Sequence, residues 1–122
     1  MAAKTVEQQM AIASGASTGV EFDLSLGLPC SISIPASLAN LTTITFTRTT
    51  IAGFVTTLTN VATGSAGALA DFVVTLTASK TIPLPQDVFK GIKSFKIQGG
   101  TLASPQAANA DITFVINYVE AD

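Results

Sequence analysis

The feature that most limits how this chain can fold is a two-residue rhythm, repeated from Val20 to Val119 and broken each time by glycine or proline. Ile44 and Phe46 alternate with Thr43, Thr45 and Thr47; Phe72, Val74 and Leu76 alternate again, as do Ile112, Phe114, Ile116 and Tyr118. Side chains on a strand project to opposite faces in turn, so this rhythm marks strands with one face in a core. Threonine at the alternate positions suits a pleated sheet, because its branched Cβ is stiff and its hydroxyl can stay wet.

Eight such segments are read, over 20–26, 30–34, 41–48, 53–59, 72–76, 80–84, 93–98 and 112–119. No helical period of useful length lies between them, which excludes βαβ winding. The expected fold is therefore all-β: an antiparallel, jelly-roll-like sandwich of two four-stranded sheets. Residues 1–19 are read as an extended N-terminal arm and 20–122 as one domain, because Ala13 to Gly19 is a run of small residues with little to bury.

Several local expectations follow. Val20, Phe22, Leu24 and Leu26 share the apolar face of the first strand, which Gly27-Leu28-Pro29 ends. Phe54, Thr56 and Leu58 share a face of the fourth, with Val55 opposing them. Residues 60–70, with Gly64-Ser65-Ala66-Gly67, read as a loop. Pro83 has no amide to donate, so its strand lies at an edge or finishes there. A short helical turn drops Phe89 onto the core and leaves through Gly91, and Gly99-Gly100 is a turn or bulge. The core is assigned to Phe22, Leu24, Ile32, Ile34, Ile44, Phe46, Phe72, Val74, Leu76, Phe89, Phe95, Ile97, Phe114 and Ile116.

Chemistry is scarce. Histidine is absent, which removes the commonest general base and metal ligand, and the single cysteine, Cys30, rules out an internal disulfide. Cys30 continues the rhythm of Ile32 and Ile34 and reads as a small buried hydrophobe. Glu21 and Asp23 fall on one face of a strand; a carboxylate pair or a loose Ca²⁺ site is the sharp reading and a solvated face the plain one. Lys90, Lys93 and Lys96 are half of the six basic residues in a chain of net charge −2, too thin a footprint for nucleic acid and better suited to a salt bridge or subunit contact. No serine sits in a nucleophile motif, tryptophan is missing, and Tyr118 is the lone tyrosine. These absences make an enzyme the least expected class and imply no cofactor. No apolar run reaches the length of a membrane span, and one lysine followed by Glu7-Gln8-Gln9, without an apolar h-region, gives no expectation of a conventional secretory signal.

Only 11% of residues are charged, against roughly 25% in ordinary soluble domains, which fits a chain that ends packed against neighbours. Contact candidates are Val6, Gln8, Gln9 and Met10 on the arm, Lys90 and Lys96, and Val115 and Val119 on the second face of the last strand.

The run Ile82-Pro-Leu-Pro-Gln-Asp-Val-Phe-Lys-Gly-Ile-Lys-Ser-Phe-Lys-Ile-Gln-Gly-Gly-Thr101, followed by Gln106-Ala-Ala-Asn-Ala-Asp-Ile-Thr-Phe114, resembles small virion proteins of tailed bacteriophages. Ile12-Ala-Ser-Gly-Ala-Ser-Thr18 and the Ile34-Pro-Ala36 turn extend the likeness over most of 12–116, although the Thr-rich middle departs from it. The resemblance implies a non-enzymatic capsid decoration or cement protein on the outer shell, made in the host cytoplasm. Its implied partners are the major capsid protein and itself, as a homotrimer, with no nucleic acid and no membrane. A second expectation of another class is a host-recognition, carbohydrate-binding module on a tail fibre or head spike, acting through loops at one end of the sandwich.

Overall fold

The computed structural model describes residues 4–61, 69–89 and 91–121. Eleven strands run through them: β1 (Thr5–Ile12), β2 (Thr18–Asp23), β3 (Gly27–Ser33), β4 (Thr43–Thr49), β5 (Val55–Thr57), β6 (Thr59–Val61), β7 (Leu69–Asp71), β8 (Val73–Thr75), β9 (Thr81–Pro83), β10 (Ser94–Gly99) and β11 (Ile112–Glu120). A 3₁₀ turn, Gln86–Phe89, lies between β9 and β10.

Pairing is antiparallel throughout, and it is nested. β1 pairs with β11, β2 with β10, β3 with β9 and β4 with β8, as in one long hairpin folded at its middle, with β6 pairing β7 near the bend. The hairpin is then rolled, so that β11 also pairs with β3 and β10 with β4. Two sheets result. Sheet A has the order β1-β11-β3-β9; sheet B has the order β2-β10-β4-β5, with β8 also on β4. Successive long strands alternate between the two sheets of the sandwich.

The inner faces meet in a single apolar cluster. Twelve of the fourteen core assignments are buried; Leu24 and Phe72 are half-buried against the same cluster. Its centre is aromatic. Phe46 stacks on Phe72 (ring centroids 5.8 Å apart) and meets Phe89 and Phe95 edge-on, each at 5.4 Å. Phe95 passes the contact on to Phe22, and Phe22 to Tyr118 across the sheets. The 3₁₀ turn delivers Phe89, as expected, and Gly91 leaves it in the left-handed conformation at φ 79°. Pro83 is the last residue of edge strand β9, where its missing amide deprives no neighbour of a bond.

Several expectations need correction: sheet B has five strands and not four, and both ends of the stretch read as a loop over 60–70 are paired in β6 and β7. The described part of the N-terminal arm is no arm, because β1 is the edge strand of sheet A and the sandwich begins at Thr5. Val6, Gln8, Met10 and Ile12 alternate inward with Thr5, Glu7, Gln9 and Ala11 outward, and Met10 and Ile12 are buried. The polar triplet Glu7-Gln8-Gln9 hides that rhythm in the sequence.

The first turn also falls earlier. Asp23 accepts the Ser25 amide on its side chain (2.9 Å) and the Leu26 amide on its carbonyl (3.1 Å), so the chain reverses before Gly27. Gly27-Leu28-Pro29 instead opens β3, with Pro29 beside a bulge at Cys30. Gly27 is needed there by close approach, since a Cβ would run into the Val119 carbonyl and the Tyr118 ring. Gly27→Ala should therefore cost about 2–3 kcal/mol in urea unfolding; a change under about 0.5 kcal/mol would show that β3 and β11 have room to part.

Val20 and Leu26 do not join the core. Gly19 and Val20 together oppose Ile97 in a bulge, which turns Val20 outward, and Leu26 lies in the Asp23 turn. Lastly, the strand read over 53–59 begins later. The Thr50 amide donates to the Phe54 carbonyl and the Gly53 amide to the Thr50 carbonyl, closing a hairpin tip that leaves Phe54 exposed. Leu58 is buried, between β5 and β6. The Gly64-Ser65-Ala66-Gly67 loop lies outside the described residues.

Candidate interaction surfaces

The outer face of sheet A is built by the odd-numbered residues of β1 and β11. Register places Gln9, Val115, Ser33 and Thr81 in one row across all four strands, and Glu7, Asn117, Ser31 and Pro83 in the next. Thr5, Val119 and Leu28 form a third row, while Ala11 and Thr113 form a fourth. The Asn117 amide donates to the Ser31 and Ser33 hydroxyls (3.0 and 3.2 Å), and the Ser33 and Thr81 hydroxyls lie 2.9 Å apart. Hydroxyls and amides thus satisfy one another across the strands, and Glu7 is the one ionisable group in these rows. Charge depletion of this kind characterises the centre of protein interfaces, where an ion would have to shed its water.

The outer face of sheet B differs. Glu21, Lys96, Thr47 and Thr57 form one row and Thr18, Gln98, Thr45 and Val73 another. Thr45, Thr47 and Gln98 are buried although they point away from the core. The chain after β10 folds back over this face: Thr45 donates its hydroxyl to the Gly100 carbonyl (3.0 Å), and Gly100 turns at φ 67°. Gly99-Gly100 is thus a turn with a covering task.

Of the contact candidates, Gln9, Val115 and Val119 come together on the outer face of sheet A. Val6, Gln8 and Met10 share the inward side of β1, and Met10, fully buried, has no surface to offer a partner. Lys96 lies on the opposite sheet, so it and Val115 cannot serve one flat contact. Lys90 lies outside the described residues. Sequence reasoning missed Ser31, Ser33, Asn117 and Thr81, whose alignment across β11, β3 and β9 depends on long-range register.

Two of the residues that carried the phage resemblance, Gln106 and Asp111, make structural bonds. Gln106 accepts the Thr42 amide on Oε1 (3.0 Å) and donates through Nε2 to the Thr42 hydroxyl (2.8 Å), tying the β10–β11 loop to the start of β4. Asp111 accepts the Ser14 amide at 2.8 Å and ties the same loop to the β1–β2 turn. Both brace one end of the sandwich.

The opposite end carries three adjoining hollows around Gly91, Ile92 and Lys93. One is lined by Leu24, Leu28, Phe89, Ile92 and Val119, one by Asp23, Leu24, Ser25, Ile92 and Lys93, and one by Arg48, Thr49, Thr50, Ile51, Lys93 and Ser94. Asp23 is held below the ordinary carboxylate range by the Ser25 backbone amide and then by the Ser25 hydroxyl, which favours the ion and not a proton-shuttling acid. Cys30 is half-buried in its bulge and not enclosed as expected, with Sγ 3.4 Å from the Leu28 carbonyl. Among the described residues, no three of the metal-ligating types cluster.

This is an antiparallel β-sandwich with extended outer faces. Its fold is similar to that of the SPBc2 prophage-derived protein YomS, with a TM-score of 0.55 over 98% of each chain at 13% identity. No protein-family model and no curated protein sequence matches the chain.

Proposed function

We propose that the protein is a structural subunit of a bacteriophage virion, a capsid decoration or cement protein that binds the outer shell and stabilises junctions between capsomers. The observation that carries this reading is the broad outer face of sheet A, satisfied by its own hydroxyl and amide bonds and nearly free of charge. The shared fold of a prophage-derived protein supports the phage setting. In this reading the chain is no enzyme. It contributes binding free energy over area, multiplied by the number of copies on one shell, with the major capsid protein and its own copies, as a trimer, for partners.

The test is a charge placed in the face. Gln9→Lys with Val115→Lys should lower occupancy on purified shells by about tenfold or more, since two buried, unpaired ammonium groups oppose docking. Lys96→Gln on the other sheet should leave occupancy unchanged. Equal occupancy for the doubly charged variant and the wild type would remove sheet A from the contact. A host-recognition module on a tail fibre or head spike would instead use the hollowed loop end; glycan-array binding lost with loop-end variants, together with absence from the head, would favour it.

A further inference from the structure

The hollow between the β4–β5 hairpin tip and the segment before β10 has a volume of about 450 Å³ and is lined by Arg48, Thr49, Thr50, Ile51, Gly91, Lys93 and Ser94. Two of the six basic side chains of the chain line it, and none of its lining residues is acidic. Asp23 lines the adjoining hollow with Lys93 and keeps its negative charge while accepting the Ser25 amide. At the edge of the hollow, Thr50 closes the hairpin tip with its amide and carbonyl; its Oγ1 is enclosed there with no hydrogen-bond partner, alone in this among the described side-chain atoms, and is not open to a ligand. Beside the hollow, Ile51 is fully exposed and Phe54 and Val55 are largely so, which places apolar surface next to the cations.

The geometry points to this hollow as a binding site for a carboxylate carried by an apolar-flanked acidic segment of a partner protein. Arg48 supplies a planar fork that matches a carboxylate and Lys93 a second charge from the facing segment. Ile51 and Phe54 cover the partner's neighbouring apolar side chains. Two cations in an acidic chain make too small a track for nucleic acid, and the lining holds no aromatic ring on which a sugar would stack. This site is separate from sheet A, so it stands or falls independently of shell binding through that face.

The test is an amide-resolved NMR titration of the full chain with acetyl-leucyl-glutamyl-leucinamide, its glutaminyl counterpart, and inorganic phosphate. The glutamyl peptide should shift the amides of Thr49–Ile51 and Gly91–Ser94. It should bind about fivefold or more tightly than the glutaminyl peptide, and lose about tenfold in Arg48→Gln. Lys93→Gln, on the exposed segment, should lower affinity about threefold, and it decides the matter should Arg48→Gln not fold. Equal binding of the two peptides, shifts confined to another part of the sandwich, or tighter binding of phosphate than of the glutamyl peptide would each overturn the assignment.

Discussion

Phe46→Ala is expected to remove about 4–5 kcal/mol of folding free energy, a large share of the roughly 5–15 kcal/mol that a domain commands. Phe46 is fully buried and touches three rings, those of Phe72, Phe89 and Phe95. Truncation removes the transfer free energy of the ring, leaves a cavity, and breaks edge-to-face contacts worth about 0.5–1.5 kcal/mol each. The nested topology makes full collapse of that cavity difficult: β4 is held by β10 on one side and by β5 and β8 on the other. Phe54→Ala, at a ring that is 59% exposed, should change the unfolding free energy in urea by less than about 0.5 kcal/mol. A loss under about 2 kcal/mol at Phe46, or a loss at Phe54 to match it, would mean that the aromatic cluster is not the centre of the core.

The second large effect concerns the N-terminus. Deleting residues 1–12 should abolish cooperative unfolding, because it removes β1 with the buried Met10 and Ile12 and leaves β11 as a bare edge. Each of the two side chains is worth about 2–5 kcal/mol. β11 would then present an unpaired ladder nine residues long, a ready template for aggregation. Near-ultraviolet circular dichroism and light scattering read both consequences. A truncated chain that stays free of aggregates and unfolds in one sharp transition would restore the idea of an independent arm.

How far the fold could be read from the sequence depended on where the two-residue rhythm survives. It is unbroken in β4, β10 and β11, and there the facing of Ile44, Phe46, Phe95, Ile97, Phe114 and Ile116 was legible. It fails where a residue is inserted or where polar side chains occupy inward positions. Gly19 and Val20 share one partner, Cys30 bulges from β3, and Gln8 sits inward at the margin of the sheet. Nothing local marks those departures, because a bulge is set by the partner strand. The candidate surface was legible in part for the same reason. Gln9, Val115 and Val119 stood out singly, but their union with Ser31, Ser33, Asn117 and Thr81 comes from the pairing of β1, β3, β9 and β11, which are distant in sequence.

The central proposal is that this β-sandwich acts by adhering to a phage shell. A cryo-electron density map of the virion encoded alongside it tests that claim most directly. The expected result is density for the two-sheet body on the outer surface of the head, at positions of capsid symmetry, with the Gln9–Val115–Ser33–Thr81 row turned toward the capsid protein or a sister copy. A head shell bare of the protein, with the chain located at the tail tip or missing from the particle, would contradict it.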